Sequence, residues 1–127
     1  SCKYLKLGRK IPLHNQGTPV RNWLHAEDTA SAIITIINSG VENEIFNIAG
    51  GFEQTNIATV KKLIASVIGT NEFDINDFVD MGCSRVGQDL RYAIDDSKIQ
   101  GLGWKPQMKF DEEIHEIVSY YENKFIW

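Results

Sequence analysis

The groups best placed for chemistry in this 127-residue chain are arginines and amides. The stretch Ser84-Arg85-Val86-Gly87-Gln88-Asp89-Leu90-Arg91-Tyr92-Ala93-Ile94-Asp95 reads as a charged, glycine-containing loop that runs into a β-like segment and then a helix cap. Arg85 lies beside Gly87 in that loop and Arg91 follows it, while Arg21 leaves an earlier β-like segment. Asn56 stands at a predicted helix start, where free N–H groups and the helix dipole favour an anion. Guanidinium groups offer planar forks of donors that match phosphate oxygens. Arg21, Arg85 and Asn56 are therefore candidates for holding a diphosphate. The spacing is also compatible with Arg21 and Arg85 pairing with surface carboxylates, which contributes little. Spacing alone leaves both readings open.

Other chemistries find less support. His14, His25 and His115 are scattered, without the His-x-x-x-His or cysteine-rich spacing of a metal site. No Gly-x-Ser-x-Gly elbow occurs, so a serine hydrolase is not indicated. The Gly50-Gly51 pair lacks the Gly-x-Gly-x-x-Gly fingerprint of a dinucleotide-binding turn and reads as an ordinary turn or as a chain leaving a sheet toward a ligand. A Tyr-x-x-x-Lys pair at Tyr120 and Lys124 falls in the last helix, without the elements that such a dyad needs, and is read as chance. No catalytic residue, metal ligand or cofactor-binding residue is therefore expected in this chain.

Positioning those polar groups requires a scaffold, and the composition supplies one. With 43% hydrophobic and 24% charged residues the chain is globular, of the length of a single domain covering residues 1–127. The formal net charge of −4 provides no basic stripe for nucleic acid. The apolar run Ile33–Ile37 is too short for a bilayer. Cys2 and Cys83 have no paired spacing, and a reduced, cytoplasmic protein is expected. The opening Ser-Cys-Lys-Tyr-Leu-Lys-Leu reads as the middle of a helix, so a piece of a longer enzyme is expected.

Taken in order, Tyr4, Leu5 and Leu7 read as the tail of a helix ending at Gly8. Ile11–His14 is predicted as a short edge strand because of Pro12, and residues 15–19 are turn chemistry. Val20–His25 alternates as a strand. Glu27 and Asp28 open a helix whose Ala30, Ile33, Ile34 and Ile37 recur at the spacing of one buried face. Glu44–Ala49 is predicted as a strand. Thr55 caps a helix with Ile57, Val60, Leu63, Ile64, Val67 and Ile68 inward, stopped by Gly69. Phe78–Met81 and Arg91–Ile94 are further strand candidates, Asp95 or Asp96 caps a helix over 97–101, and a last helix runs from Asp111 to about Phe125. Such alternation predicts a mixed α/β layer, with a small sheet of short strands packed with helices and not a full doubly wound sheet.

Six stretches, in order, resemble one family. Gly8–Gly17 is similar to its Gly-Lys-Pro-Ile-Pro-Ile-Tyr-Gly-Asp-Gly, and Val20–Asp28 to its Val-Arg-Asp-Trp-Ile-His-Val-Asp-Asp. Glu44–Gly51 is similar to Glu-Ile-Tyr-Asn-Ile-Gly-Gly-Gly, and Thr55-Asn56-Ile57 to its helix start. Asp89–Asp95 is similar to Asp-Arg-Arg-Tyr-Ala-Ile-Asp, and Leu102-Gly103-Trp104-Lys105-Pro106 with Phe110-Asp111 to Leu-Gly-Trp-x-Pro…Phe-Glu. The chain thus resembles the C-terminal substrate-binding lobe of nucleotide-sugar 4,6-dehydratases. These are extended short-chain dehydrogenase/reductases, and the resemblance is nearest to the dehydratases of dTDP-glucose. It departs at His14 (Tyr in the family), Asn22 (Asp), Val86 (Pro), Gln88 (His) and Leu90 (Arg).

The resemblance implies a mixed α/β lobe without the NAD-binding Rossmann domain, which in the family holds NAD and the catalytic residues. It implies that Arg21 and Arg85 hold the diphosphate with Asn56 assisting, and that Pro12, Leu13 and His14 line the base. Gln88 would lie near the diphosphate or sugar, and Trp23, Tyr92 and Trp104 would be packing residues. The implied partners are a nucleotide-diphosphate sugar and an N-terminal NAD-binding domain in a homodimeric parent, with no nucleic acid and no membrane. The parent reaction would oxidise the sugar at C4, eliminate water across C5–C6 and return hydride to C6, while this chain alone would be inactive. A UDP-sugar 4-epimerase-type lobe and a stand-alone nucleotide-sugar binding module are the alternatives.

Overall fold

The computed structural model describes residues 1–123. Its element order is α1 (Cys2–Lys6), β1 (Ile11–Pro12), a 3-10 turn (His14–Gly17), β2 (Val20–Asn22), α2 (Ala26–Asn38), β3 (Glu53–Thr55), α3 (Asn56–Ile68), a second 3-10 turn (Ile75–Asp77), β4 (Val79–Asp80), α4 (Ser97–Gln100) and α5 (Phe110–Asn123). Among the described residues the strands form two small sheets, β1 parallel to β4 and β2 antiparallel to β3. This is the mixed α/β layer expected, with shorter strands. Lys124 of the Tyr-x-x-x-Lys pair and Phe125, the expected end of the last helix, lie outside the described residues.

The helix boundaries follow local chemistry. Thr55 Oγ1 accepts the Ala58 N–H at 3.2 Å, and Gly69 closes α3 in the left-handed region at φ 75°. His25 caps α2, its Nδ1 accepting the Glu27 N–H at 3.2 Å. One core gathers Ile11, Leu13, Val60, Ile64 and Val79, with Phe73, Phe78 and Met81 packed on it. A second gathers Ala32, Ile99 and Trp104 against Leu24, Ile36, Phe46 and Ile48. Each large aliphatic chain fully buried in this way contributes about 1.5–3 kcal/mol. Trp104 satisfies its indole by donating to Ser31 Oγ at 2.9 Å.

Three expectations are corrected. The face Ala30, Ile33, Ile34 and Ile37 is not buried: Ile33, Ile34 and Ile37 are 49%, 57% and 71% exposed, and α2 turns Asp28, Ala32 and Ile36 inward instead. A period of 3.6 marks a face but does not say which apolar face meets this core. Glu44–Ala49 forms no strand, because no described segment offers it a ladder of backbone partners. It alternates nonetheless, with Phe46 and Ile48 packed on the second core and Ile45 86% exposed. Arg91–Ile94 is reduced to a single parallel bridge between Arg91 and Val20.

Asp28 is 2% exposed, and its carboxylate accepts two backbone N–H groups, Gln107 to Oδ1 at 2.8 Å and Met108 to Oδ2 at 3.1 Å. Those bonds tie the segment before α5 to α2. Asp28→Ala leaves both donors without an acceptor and is expected to cost about 2–4 kcal/mol. Asp28→Asn, which keeps one acceptor, is expected to cost roughly half of that. Urea midpoints at unchanged m-value check this, and equal midpoints for the wild type and Asp28→Ala would refute the role.

Candidate nucleotide-sugar cleft

An open cleft of about 1220 Å³ runs between β1, the start of α3 and the inner side of α5. Its apolar walls include Leu13, Val60, Leu63 and Ile117, and Trp23 also lines it. Five of the residues singled out in the sequence meet there: Pro12, Leu13, His14, Asn56 and Gln88. β1 and the following 3-10 turn deliver the first three. Asn56 opens α3, its backbone N–H donating to the Pro19 carbonyl at 3.0 Å. With Ala58 N–H capped by Thr55, two of the first α3 N–H groups are already bonded, and Asn56 itself lines the cleft.

Arg21 and Arg85 do not line this cleft. The Arg21 fork donates to the carbonyls of Val20 at 2.7 Å and Asp89 at 3.1 Å and lies over the Tyr92 ring, 4.1 Å from its centroid. Tyr92, read as a packing residue, is 51% exposed and serves as the platform for that guanidinium, a cation–π contact. Arg85 is exposed in the loop, and among the described residues its guanidinium has no hydrogen bond or ion pair. Neither arginine pairs with a described carboxylate. Arg91 does, through a two-pronged contact to Glu53 at 2.8 and 3.2 Å.

The loop that carries Arg85 and Gln88 is fastened along its length. Asn15 donates its backbone N–H to the Cys83 carbonyl at 2.9 Å, and its side chain bonds Arg85 and Gln88. β2 then holds the next residues, with the Val20 N–H donating to the Leu90 carbonyl at 2.7 Å. Asn47 Nδ2 donates to the Asp95 carbonyl at 3.0 Å, and the buried Asp96 accepts the Gly50 N–H at 2.8 Å. Burial, with the Asp80 carboxylate second, pushes the Cys83 thiol up. The Ser97 N–H, 2.9 Å from Asp95 Oδ1, holds the Asp95 carboxyl below the usual range. Asn15 escaped the sequence reading: its turn was legible, but a partner seventy positions on in the chain, Arg85, leaves no local signal.

The small sheets with helices packed on them form a fold seen in dehydratases and epimerases of the short-chain dehydrogenase/reductase family. The family model described as GDP-mannose 4,6 dehydratase matches residues 3–117, and the chain belongs to that family. It is 37% identical over 127 aligned positions to a dTDP-glucose 4,6-dehydratase of Escherichia coli, covering 94% of this chain and 35% of that protein. The solved dTDP-glucose 4,6-dehydratase of Streptomyces venezuelae, with NAD bound, superposes at a TM-score of 0.84 with 33% identity, over 97% of this chain and 37% of that one. A UDP-N-acetylglucosamine 4-epimerase of Methanobrevibacter ruminantium shares the fold, with a TM-score of 0.80 at 21% identity over 96% of this chain and 37% of that one. The chain spans about a third of the length of the curated relatives it matches. Among the described residues, no helix is long and apolar enough to cross a membrane, and no group of three or more metal-ligating side chains occurs.

Gly17 sets how closely the 3-10 turn approaches α3. It has φ +70°, and a Cβ there would lie 2.8 Å from Ile57 Cβ. Gly87 has a similar φ of +73° with nothing within 4 Å. Gly87→Ala is expected to cost about 1–2 kcal/mol of left-handed strain, and Gly17→Ala about 1–3 kcal/mol more from overpacking. Equal urea midpoints for the two variants would show that the close approach does not constrain the turn.

Proposed function

We propose that this chain is the nucleotide-sugar-binding lobe of an NAD-dependent nucleotide-sugar 4,6-dehydratase, with dTDP-glucose as the substrate. The observation that carries the reading is the cleft in which Pro12, Leu13 and His14 meet Asn56 and Gln88. Apolar walls with a few convergent polar groups are the usual make-up of a small-molecule site. In this reading the base lies against Pro12–His14, and the diphosphate lies toward Asn56 and Gln88. Arg85 swings its unpaired guanidinium to the diphosphate from the loop, and Arg21 closes on it from the edge of β2. Binding the diphosphate fixes the sugar, so the lobe contributes positioning.

The residues present do not fit NAD. Gly50-Gly51 leads into β3 and not into a helix, so it makes no dinucleotide-binding turn. NAD and the catalytic groups therefore belong, in this reading, to a separate NAD-binding domain. The exposure of Ile33, Ile34 and Ile37 along α2, with Val41 and Ile45 exposed after it, supports this, because exposed apolar surface marks a contact site. We place the NAD-binding domain on that face.

Two measurements test the reading. In a two-dimensional NMR titration with dTDP-glucose, dTDP and UDP-glucose, selective shifts at Pro12–His14, Arg21, Asn56, Arg85 and Gln88 are expected with the thymidine ligands. Selective shifts with UDP-glucose alone would favour an epimerase-type lobe, and no shift with any ligand, also after an NAD-binding domain is supplied, would refute the site. In sedimentation at high concentration the chain is expected to self-associate through the isoleucine face, and an Ile37→Lys, Ile45→Lys double variant to run as a monomer. A wild-type monomer at all concentrations would count against the docking face.

A further inference from the structure

Asn15 is an L-residue held in the left-handed region, at φ 50° and ψ 43°. Asparagine tolerates that conformation better than most residues, and here the conformation has a use. Its Oδ1 accepts the Arg85 backbone N–H at 3.1 Å, while its Nδ2 donates to the Arg85 carbonyl at 3.3 Å and to Gln88 Oε1 at 3.2 Å. One amide thus closes a two-way bond with the Arg85 backbone, of the kind a neighbouring strand would supply, and reaches the Gln88 side chain as well. The 3-10 turn that contains Asn15 is itself seated on α3 at Gly17, so the anchor is fixed on its other side.

The bond to Gln88 has a direction. Gln88 accepts through Oε1, so that atom is turned to Asn15, and its Nε2–H groups, which bond no described residue, are the part of the amide left for the cleft that Gln88 lines. An amide presented by its donors suits an anionic or hydroxyl oxygen and disfavours another donor.

We infer that Asn15 is a positioning residue for the nucleotide-sugar site. It fixes the Arg85–Gln88 loop at a set distance from the cleft and orients the Gln88 amide so that its donors meet acceptor oxygens of the ligand. The inference rests on the proposed site for its ligand, but its two local consequences can be read without any ligand.

The test uses the chain with Asn15→Gly, which keeps the backbone conformation and removes the clamp, and with Asn15→Asp, which keeps the acceptor for Arg85 N–H and removes the donor to Gln88 Oε1 and to the Arg85 carbonyl. In Asn15→Gly the Arg85 amide is expected to exchange about tenfold faster, and the Gln88 side-chain amide resonances to move to solvent positions, with the urea midpoint recorded separately. Asn15→Asp is expected to restore Arg85 protection and not the Gln88 signature. With dTDP as the probe, the dissociation constant is expected to rise about tenfold in Asn15→Gly. An Arg85 amide equally protected in the wild type and Asn15→Gly overturns the inference. So does a loosened loop that leaves dTDP affinity unchanged. If the wild type binds no dTDP while both amide signatures change as described, the nucleotide-sugar reading fails and the clamp on Arg85 and Gln88 stands.

Discussion

Backbone amides without strand partners are the constraint on which this lobe depends. Its strands are two or three residues long, so most of the chain between helices has no ladder to satisfy its N–H and C=O groups. A buried amide without an acceptor costs about as much as a lost hydrogen bond. The molecule answers with side chains. Asp28 takes the amides of Gln107 and Met108, Asp96 takes that of Gly50, and Asn15 takes that of Arg85. Each of these groups lies far in sequence from the segment it fastens. Together they join α2 to the approach of α5, α4 to the glycine turn, and the first 3-10 turn to the arginine loop.

The cleft is a consequence of those ties. α5 lies across from β1 and the start of α3, and the segment leading into it is held in place by Asp28. The 3-10 turn can lie against Ile57 because position 17 has no Cβ. Without Asp28 the segment that enters α5 loses its two backbone anchors, and a Cβ at position 17 would press on Ile57. Of the residues proposed to meet the ligand, Pro12, His14 and Gln88 are half or fully exposed, whereas Leu13 belongs to the first core and the supporting Asp28 and Asp96 are buried.

How much of this was legible depended on how local the cause was. The caps at Thr55 and Gly69, the extent of α3 and the start of α5 rest on neighbouring residues and were readable. The six ordered stretches also pointed to the family, and five of the seven site candidates meet in the cleft. What failed was set by partners remote in sequence. The isoleucines of α2 and the run Glu44–Ala49 carry correct periods, but burial and strand pairing need a surface that no described segment provides. Tyr92 was read as core, yet it supports Arg21 from outside. Asn15 looked like turn chemistry alone, since nothing near it in sequence names Arg85 or Gln88.

The central claim, that the cleft is a nucleotide-sugar site, is tested most directly by a crystal structure of this chain soaked with thymidine diphosphate. The account predicts the base against Pro12–His14 and the diphosphate oxygens within hydrogen-bond distance of the Asn56 and Gln88 amides, with the Arg85 guanidinium drawn to them. A ligand seated elsewhere, or a cleft still empty at saturating ligand with its residues facing solvent, would contradict it.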